Sequence, residues 1–127
     1  MADSRKYEVH VAVATQNLEE QSNPAEGRYT FAYSITISNV GTVAAQLISR
    51  HWIITDADNR VQEVRGLGVV GHQPLLQPGQ SFEYTSGCVL ATPVGSMQGS
   101  YQMTAEDGRQ FEAPIAEFVL SMPRVLH

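Results

Sequence analysis

The sequence predicts an all-β fold, an immunoglobulin-like or fibronectin type III-like sandwich of seven or eight mainly antiparallel strands. Three observations carry that expectation. Apolar and polar residues alternate with period two, turn residues recur about every ten positions, and no long run shows helical periodicity. At 127 residues the chain has the size of one domain, 1–127, and can bury a core without a disulfide or metal staple. A hydrophobic content of 43% supplies that core, and the low charged fraction of 17% suits a strand-and-turn protein.

The elements follow in order. Residues 1–6 are expected to be a flexible tail. Tyr7, Val9, Val11 and Val13 then fall on one face of a first strand, with His10, Ala12 and Ala14 on the other. Over residues 29–39, Phe31, Tyr33, Ile35 and Ile37 oppose Thr30, Ser34, Thr36 and Ser38. The β-branched and aromatic residues in both runs suit a half-buried pleated surface. Between them, residues 16–27 are polar and acidic, with a Ser-Asn-Pro turn signal, and read as a long solvated loop. A third strand is expected over 47–55, with Trp52 as the aromatic plug of the core. Arg50 shares the face of Trp52. It either stacks over the indole or, if Trp52 fills the core, reaches a carboxylate or the surface.

Asp56-Ala57-Asp58-Asn59 is a turn, and residues 60–65 begin a fourth strand. The glycine hexapeptide 66–71 and the segment 74–79 form a long connection. Alternation resumes over 81–90 through Phe82 and Tyr84, then over 95–105 through Met97, Gly99, Tyr101 and Met103. Asp107-Gly108 signals a hairpin into the last strand, 109–120, where Pro114 demands an edge position or a bulge. No internal repeat, linker or second domain interrupts this pattern.

The formal net charge is −5, from eight basic and thirteen acidic residues. That sign repels a phosphate backbone, and beyond Arg5-Lys6 no basic cluster offsets it, so nucleic acid is not an expected partner. Cys88 is the single cysteine, which excludes an intrachain disulfide. The first six residues lack an apolar h-region, and apolar runs such as 11–14 are too short to cross a bilayer. A cytoplasmic protein with no membrane partner is expected.

Specific strings then point to a family. Ser49-Arg50-His51-Trp52-Ile53-Ile54-Thr55-Asp56, Val61 to Pro74 around the glycine hexapeptide, Leu76-Gln77-Pro78-Gly79 and Tyr84-Thr85-Ser86-Gly87 closely resemble the ApaG family. Met97-Gln98-Gly99-Ser100-Tyr101 and Phe118-Val119-Leu120 extend the resemblance over essentially the whole chain. It implies a fibronectin type III-like sandwich and a bacterial cytoplasmic protein with no assigned biochemical activity. The family is associated with cobalt resistance and magnesium efflux, and with a neighbouring diadenosine tetraphosphate hydrolase. Related eukaryotic domains, on F-box proteins and a polymerase-interacting protein, look like protein-recognition modules.

Gly66-Leu67-Gly68-Val69-Val70-Gly71 fits the GxGxxG pattern of dinucleotide-binding loops. That chemistry needs a following helix whose amino terminus holds pyrophosphate, and here Pro74 and Pro78 follow instead. A weaker form needs no helix. Backbone amides around Gly66, Gly68 and Gly71 could form an anion nest, with Arg65 and His72 adding positive charge. Its ligand would be phosphate, pyrophosphate or a dinucleoside polyphosphate, or a partner's carboxylate.

No metal is assigned. His10, His51 and His72 are isolated in sequence, and Asp56, Asp58 and Asn59 lack the glycine and glutamate of an EF-hand. Ser86 and Cys88 flank Gly87 on an alternating strand, not on a strand-to-helix elbow, so no catalytic residue, enzymatic activity or cofactor is expected. The sequence reading is therefore a non-enzymatic module for a protein partner. It would present residues 16–27, residues 65–79 and its edge strands, as a monomer or as a homodimer through an edge strand. The alternative is a small-ligand protein binding phosphate or a dinucleoside polyphosphate at residues 65–72.

Overall fold

Period-two alternation becomes eight antiparallel strands in the computed structural model, which describes residues 5–123. The strands are β1 (Val9–Asn17), β2 (Tyr29–Asn39), β3 (Ala45–Asp56), β4 (Val61–Leu67), β5 (Leu75–Leu76), β6 (Ser81–Leu90), β7 (Val94–Ala105) and β8 (Gln110–Ser121). One sheet has the order β1-β2-β6. The other has the order β4-β3-β7-β8, with short β5 also paired to β3. These two sheets form the predicted sandwich.

The alternating side chains decide what lies between the sheets. Phe31, Tyr33, Ile35 and Ile37 of β2 are buried against Leu47, Trp52, Met97, Tyr101 and Met103 of the opposing sheet. Trp52 is only 2% exposed and meets Tyr33, Tyr101 and Phe118 edge-on or tilted, with ring centroids 5.5, 6.3 and 5.9 Å away. Such geometries favour aromatic quadrupoles, and burial of these rings is a large share of the hydrophobic stabilisation. The expected plug is in place. On the outer face of β2, hydroxyls pair across to β6, Ser34 with Thr85 and Ser38 with Ser81, each at 2.8 Å.

Strand β1 packs near β8, closing one side of the sandwich. On the opposite side the edges β4 and β6 leave a cleft between the sheets. Pro114 lies on β8, an edge strand, and the β7–β8 register shifts just beyond it, between Met97 and Gly99. Both expected accommodations of that proline are used.

Several boundaries differ from the sequence reading. Strand β1 continues through Gln16 and Asn17, which pair with Ala32 and Phe31, so the acidic loop is shorter than expected. What remains contains two short 3₁₀ turns, Glu19–Gln21 and Pro24–Glu26. Ser22 pins this segment, its hydroxyl donating to the Leu18 carbonyl and accepting from the Thr30 amide. Strand β4 runs into the glycine hexapeptide, because Gly66 and Leu67 pair with Arg50 and Ser49. Of the expected tail, residues 1–4 lie outside the described residues. Lys6 pairs with Asp107 at 3.3 Å, and Tyr7 precedes β1, its ring against Phe111 and its hydroxyl bonded to Asp107.

Asn39, 1% exposed, joins the β2–β3 turn to β5. Its side-chain amide donates to the carbonyls of Val43 and Leu76, and its oxygen accepts from the Gly41 amide. Asn39→Ala removes all of these partners from buried backbone groups, so it should cost about 3 kcal/mol in equilibrium denaturation. A cost below about 1 kcal/mol would show that these bonds are not holding the turn.

Candidate functional site

The connection from β4 to β5 is built around an irregularity in β3. The β3–β7 register shifts between Leu47 and Ser49, leaving Ile48 as the extra residue. Strand β4 pairs with β3 only as far as Ser49, and β5 takes over at Gln46 and Ala45. The chain between them is stitched to the bulge. The Ile48 carbonyl accepts from the Gly68 amide at 2.8 Å and from Gln73 Nε2 at 2.9 Å. Leu47 donates to the Pro74 carbonyl, and Gln46 Nε2 to the Gln73 carbonyl, each at 3.0 Å.

Within the loop, Val69 and His72 exchange backbone bonds of 2.8 and 2.9 Å, enclosing a two-residue turn at Val70-Gly71. Both central residues have positive φ, 42° and 84°, the pattern of a type I′ hairpin turn. Glycine suits such a position. Val70 does not, because a β-branched side chain with positive φ stores roughly 1–3 kcal/mol of strain. Val69 points into the core and is fully buried, while Val70 is 54% exposed.

Arg50 organises the other end of this loop. It projects inward from β3 beside Trp52, and Gly66 lies directly across from it. A Cβ at position 66 would come within 2.8 Å of Arg50 Cζ and both Nη atoms, so the missing side chain makes room for the guanidinium. Arg50 Nη1 donates to the carbonyls of Leu67 at 3.0 Å and Gly68 at 2.9 Å. Backbone carbonyls take the charge in place of an indole face or a carboxylate, and the residue stays half-buried, part of the way to the surface that was the remaining expectation.

Some of the amides that an anion nest would use are already engaged. The amides of Gly68, Val69 and His72 already donate to protein carbonyls. Gly68, at φ 63°, could not be replaced, since a Cβ there would lie 2.4 Å from the His72 carbonyl oxygen. Nor do the flanking side chains converge. Arg65 is exposed and pairs with Glu63 at 3.6 Å, and Glu63 also bonds His51 at 3.0 Å. His72 swings the other way, its ring 5.8 Å from that of Phe82 on β6. Sequence reasoning set Arg65 and His72 at the loop and missed Arg50, Ile48 and Gln73, which fix its shape. The one sequence signal for Arg50 is its inward position two residues from the plug.

Deeper between the sheets, the hydroxyls of Tyr84 and Tyr101 are 2.5 Å apart. Burial pushes the Tyr84 phenol up to about 12, opposed by its bond to Tyr101. Burial raises Tyr101 further and Tyr33 as well. It also lifts the Cys88 thiol to about 11, which makes it a poor nucleophile. Among the described residues no cluster of His, Cys, Asp or Glu is arranged to hold a metal, and no helix is long and apolar enough to cross a membrane.

The ApaG domain profile matches residues 19–105 of this chain. Proteins named ApaG from Thiobacillus denitrificans and Nitrosospira multiformis are 68% and 65% identical over 127 residues, covering all of both chains. The crystal structure of an ApaA protein from Bordetella pertussis superposes with a TM-score of 0.92 at 58% identity, covering 95% of this chain and 98% of that one.

The raised thiol and phenol set an alkaline limit on stability. Both groups stay protonated in the folded state at pH values where the unfolded chain ionises them. Their contribution is complete below the ordinary Cys value of 9.0 and is lost as pH climbs to about 12. Denaturation midpoints should be flat through neutral pH and fall between pH 9.0 and about 12, and Cys88→Ala should move the onset toward the ordinary tyrosine value of 10.0. An onset unchanged by Cys88→Ala would assign the effect elsewhere.

Proposed function

The chain belongs to the ApaG domain family, and from that premise we propose that it is a non-enzymatic, fibronectin type III-like module. Its recognition surface for a protein partner is the β4–β5 loop. One observation carries this reading: Leu67, Val70 and Leu75 are 76, 54 and 56% exposed on a segment whose backbone is fixed to β3. Aliphatic side chains grouped on a rigid loop offer a preorganised apolar contact, with little ordering entropy lost on association. The adjoining edge of β4 adds unpaired backbone groups to which a partner strand can bond.

The strain at Val70 supports the same reading. An Asn-Gly turn would fit the left-handed backbone better, and an exposed valine adds nothing to the core. The residue is costly to the free protein, which suits a side chain retained for contact. In this view the family's association with cobalt resistance and magnesium efflux is indirect and runs through the partner in the cytoplasm. The competing reading, a phosphate or dinucleoside polyphosphate at Arg65, Gly66, Gly68, Gly71 and His72, would have to use amides other than those of Gly68, Val69 and His72.

Val70→Asn should raise stability by about 1 kcal/mol while reducing recovery of the partner in affinity capture from the source cell. Leu67→Ser should reduce recovery too, and Glu112→Ala, on the distant edge strand β8, should leave it unchanged. Undiminished capture by both Val70→Asn and Leu67→Ser would refute the loop as the contact surface. Capture or amide shifts at residues 65–73 that depend on added diadenosine tetraphosphate, and vanish in Arg65→Ala/His72→Ala, would favour the phosphate reading. Sedimentation of the pure protein tells a foreign partner from self-association through an edge strand.

A further inference from the structure

The open side of the sandwich, distinct from the exposed loop face, holds a cleft of about 360 Å³ between β4 and β6. One wall is apolar, with Trp52, Ile54, Val64 and Met97. The other presents Ser86, the Gly87 backbone and the Tyr33 side chain, and Arg50 stands at one end. Its volume falls within the range of small-molecule sites, about 300–1,000 Å³.

Arg50 is the unusual member. Lys6, Arg60 and Arg65 each lie beside a surface carboxylate, at 3.3, 3.3 and 3.6 Å. Arg50 enters the space between the sheets, and among the described residues it has no carboxylate partner. Both hydrogens of Nη1 go to the Leu67 and Gly68 carbonyls. A guanidinium carries five N–H donors, so Nε and Nη2 keep three. No fully buried side-chain nitrogen lacks a partner, which means those donors are not sealed in the core. They form the edge of the guanidinium that binds an oxyanion through two parallel bonds. A half-buried cation without a counter-charge is stabilised by an anion brought to it.

We propose that this cleft binds a small organic oxyanion. Its carboxylate or phosphate head lies on Nε and Nη2 of Arg50, beside the Ser86 hydroxyl. Its apolar body lies along Trp52, Ile54 and Val64. Gly66 belongs to the site as the residue that lets the guanidinium lie flat over β4. The buried phenols of Tyr84 and Tyr101 stay neutral at physiological pH and do not compete for the charge.

The test is amide and indole NMR titration with benzoate, phenyl phosphate and benzyl alcohol. Benzoate, phenyl phosphate or both should give saturable shifts at Ser86, Gly87, Cys88 and the Trp52 indole, and benzyl alcohol should bind at least about tenfold more weakly. Whichever anion binds names the head group. Arg50→Gln should abolish anion preference. Because Arg50 also holds the loop, Ser86→Leu serves as the second variant, filling the cleft from β6 while leaving the loop bonds intact. It should weaken the anions by about tenfold or more with the remaining spectrum unchanged. Equal binding of benzyl alcohol, no saturable shift with either anion, or wild-type affinity in folded Ser86→Leu overturns the proposal. So does a response confined to residues 65–73, which would move the anion to the glycine loop.

Discussion

The architecture around the loop follows from one constraint, a guanidinium that must be accommodated two residues from the core tryptophan and on the same face of its strand. A charge there costs several kcal/mol unless polar groups surround it. The protein meets the requirement with backbone. Position 66 has no side chain, so the guanidinium lies across β4, and the carbonyls of Leu67 and Gly68 turn toward Nη1. Once those carbonyls face Arg50, the pairing of β4 with β3 ends at Leu67. The chain then detours past the Ile48 bulge and returns as β5. A single half-buried cation thus lies where the strand stops and the loop begins.

That arrangement gives each glycine of the hexapeptide a structural role. Gly66 makes room for a guanidinium, Gly68 allows close approach to the His72 carbonyl, and Gly71 occupies the second position of a type I′ turn. The same bonds that occupy the amides also make the loop rigid, and rigidity is what turns exposed Leu67, Val70 and Leu75 into a surface with a defined shape. Function and fold meet at Val70, where the turn geometry and the side chain are mismatched.

The fold was legible because its signals are local. Alternation in residues 29–39 and 81–90 assigns each side chain to a face without knowledge of the partner strand, and Pro114 announces an edge because it lacks a donor. The destination of Arg50 was not legible. Which carbonyls lie within its reach depends on the β3–β4 register and on the bulge at Ile48, and both are set by pairing with distant segments. The divergence of Arg65 and His72 was hidden for a related reason. Both are neighbours of the glycines in sequence, but the strand turns Arg65 toward Glu63 while the type I′ turn carries His72 across to Phe82. Gln16 and Asn17 look like loop, yet a strand end needs only backbone bonds, and β2 supplies them.

Arg50 holds the loop by donating to the Leu67 and Gly68 carbonyls, and amide hydrogen exchange of Arg50→Met reads that restraint. The variant keeps much of the aliphatic stem and removes the charge and both bonds. Loss of two charge-assisted bonds should speed exchange at Gly68, Val69 and His72 by roughly ten- to a hundredfold, with protection in β2 and β7 little changed. Unaltered protection at those three amides would show that the Ile48 and Gln73 contacts, and not Arg50, anchor the loop.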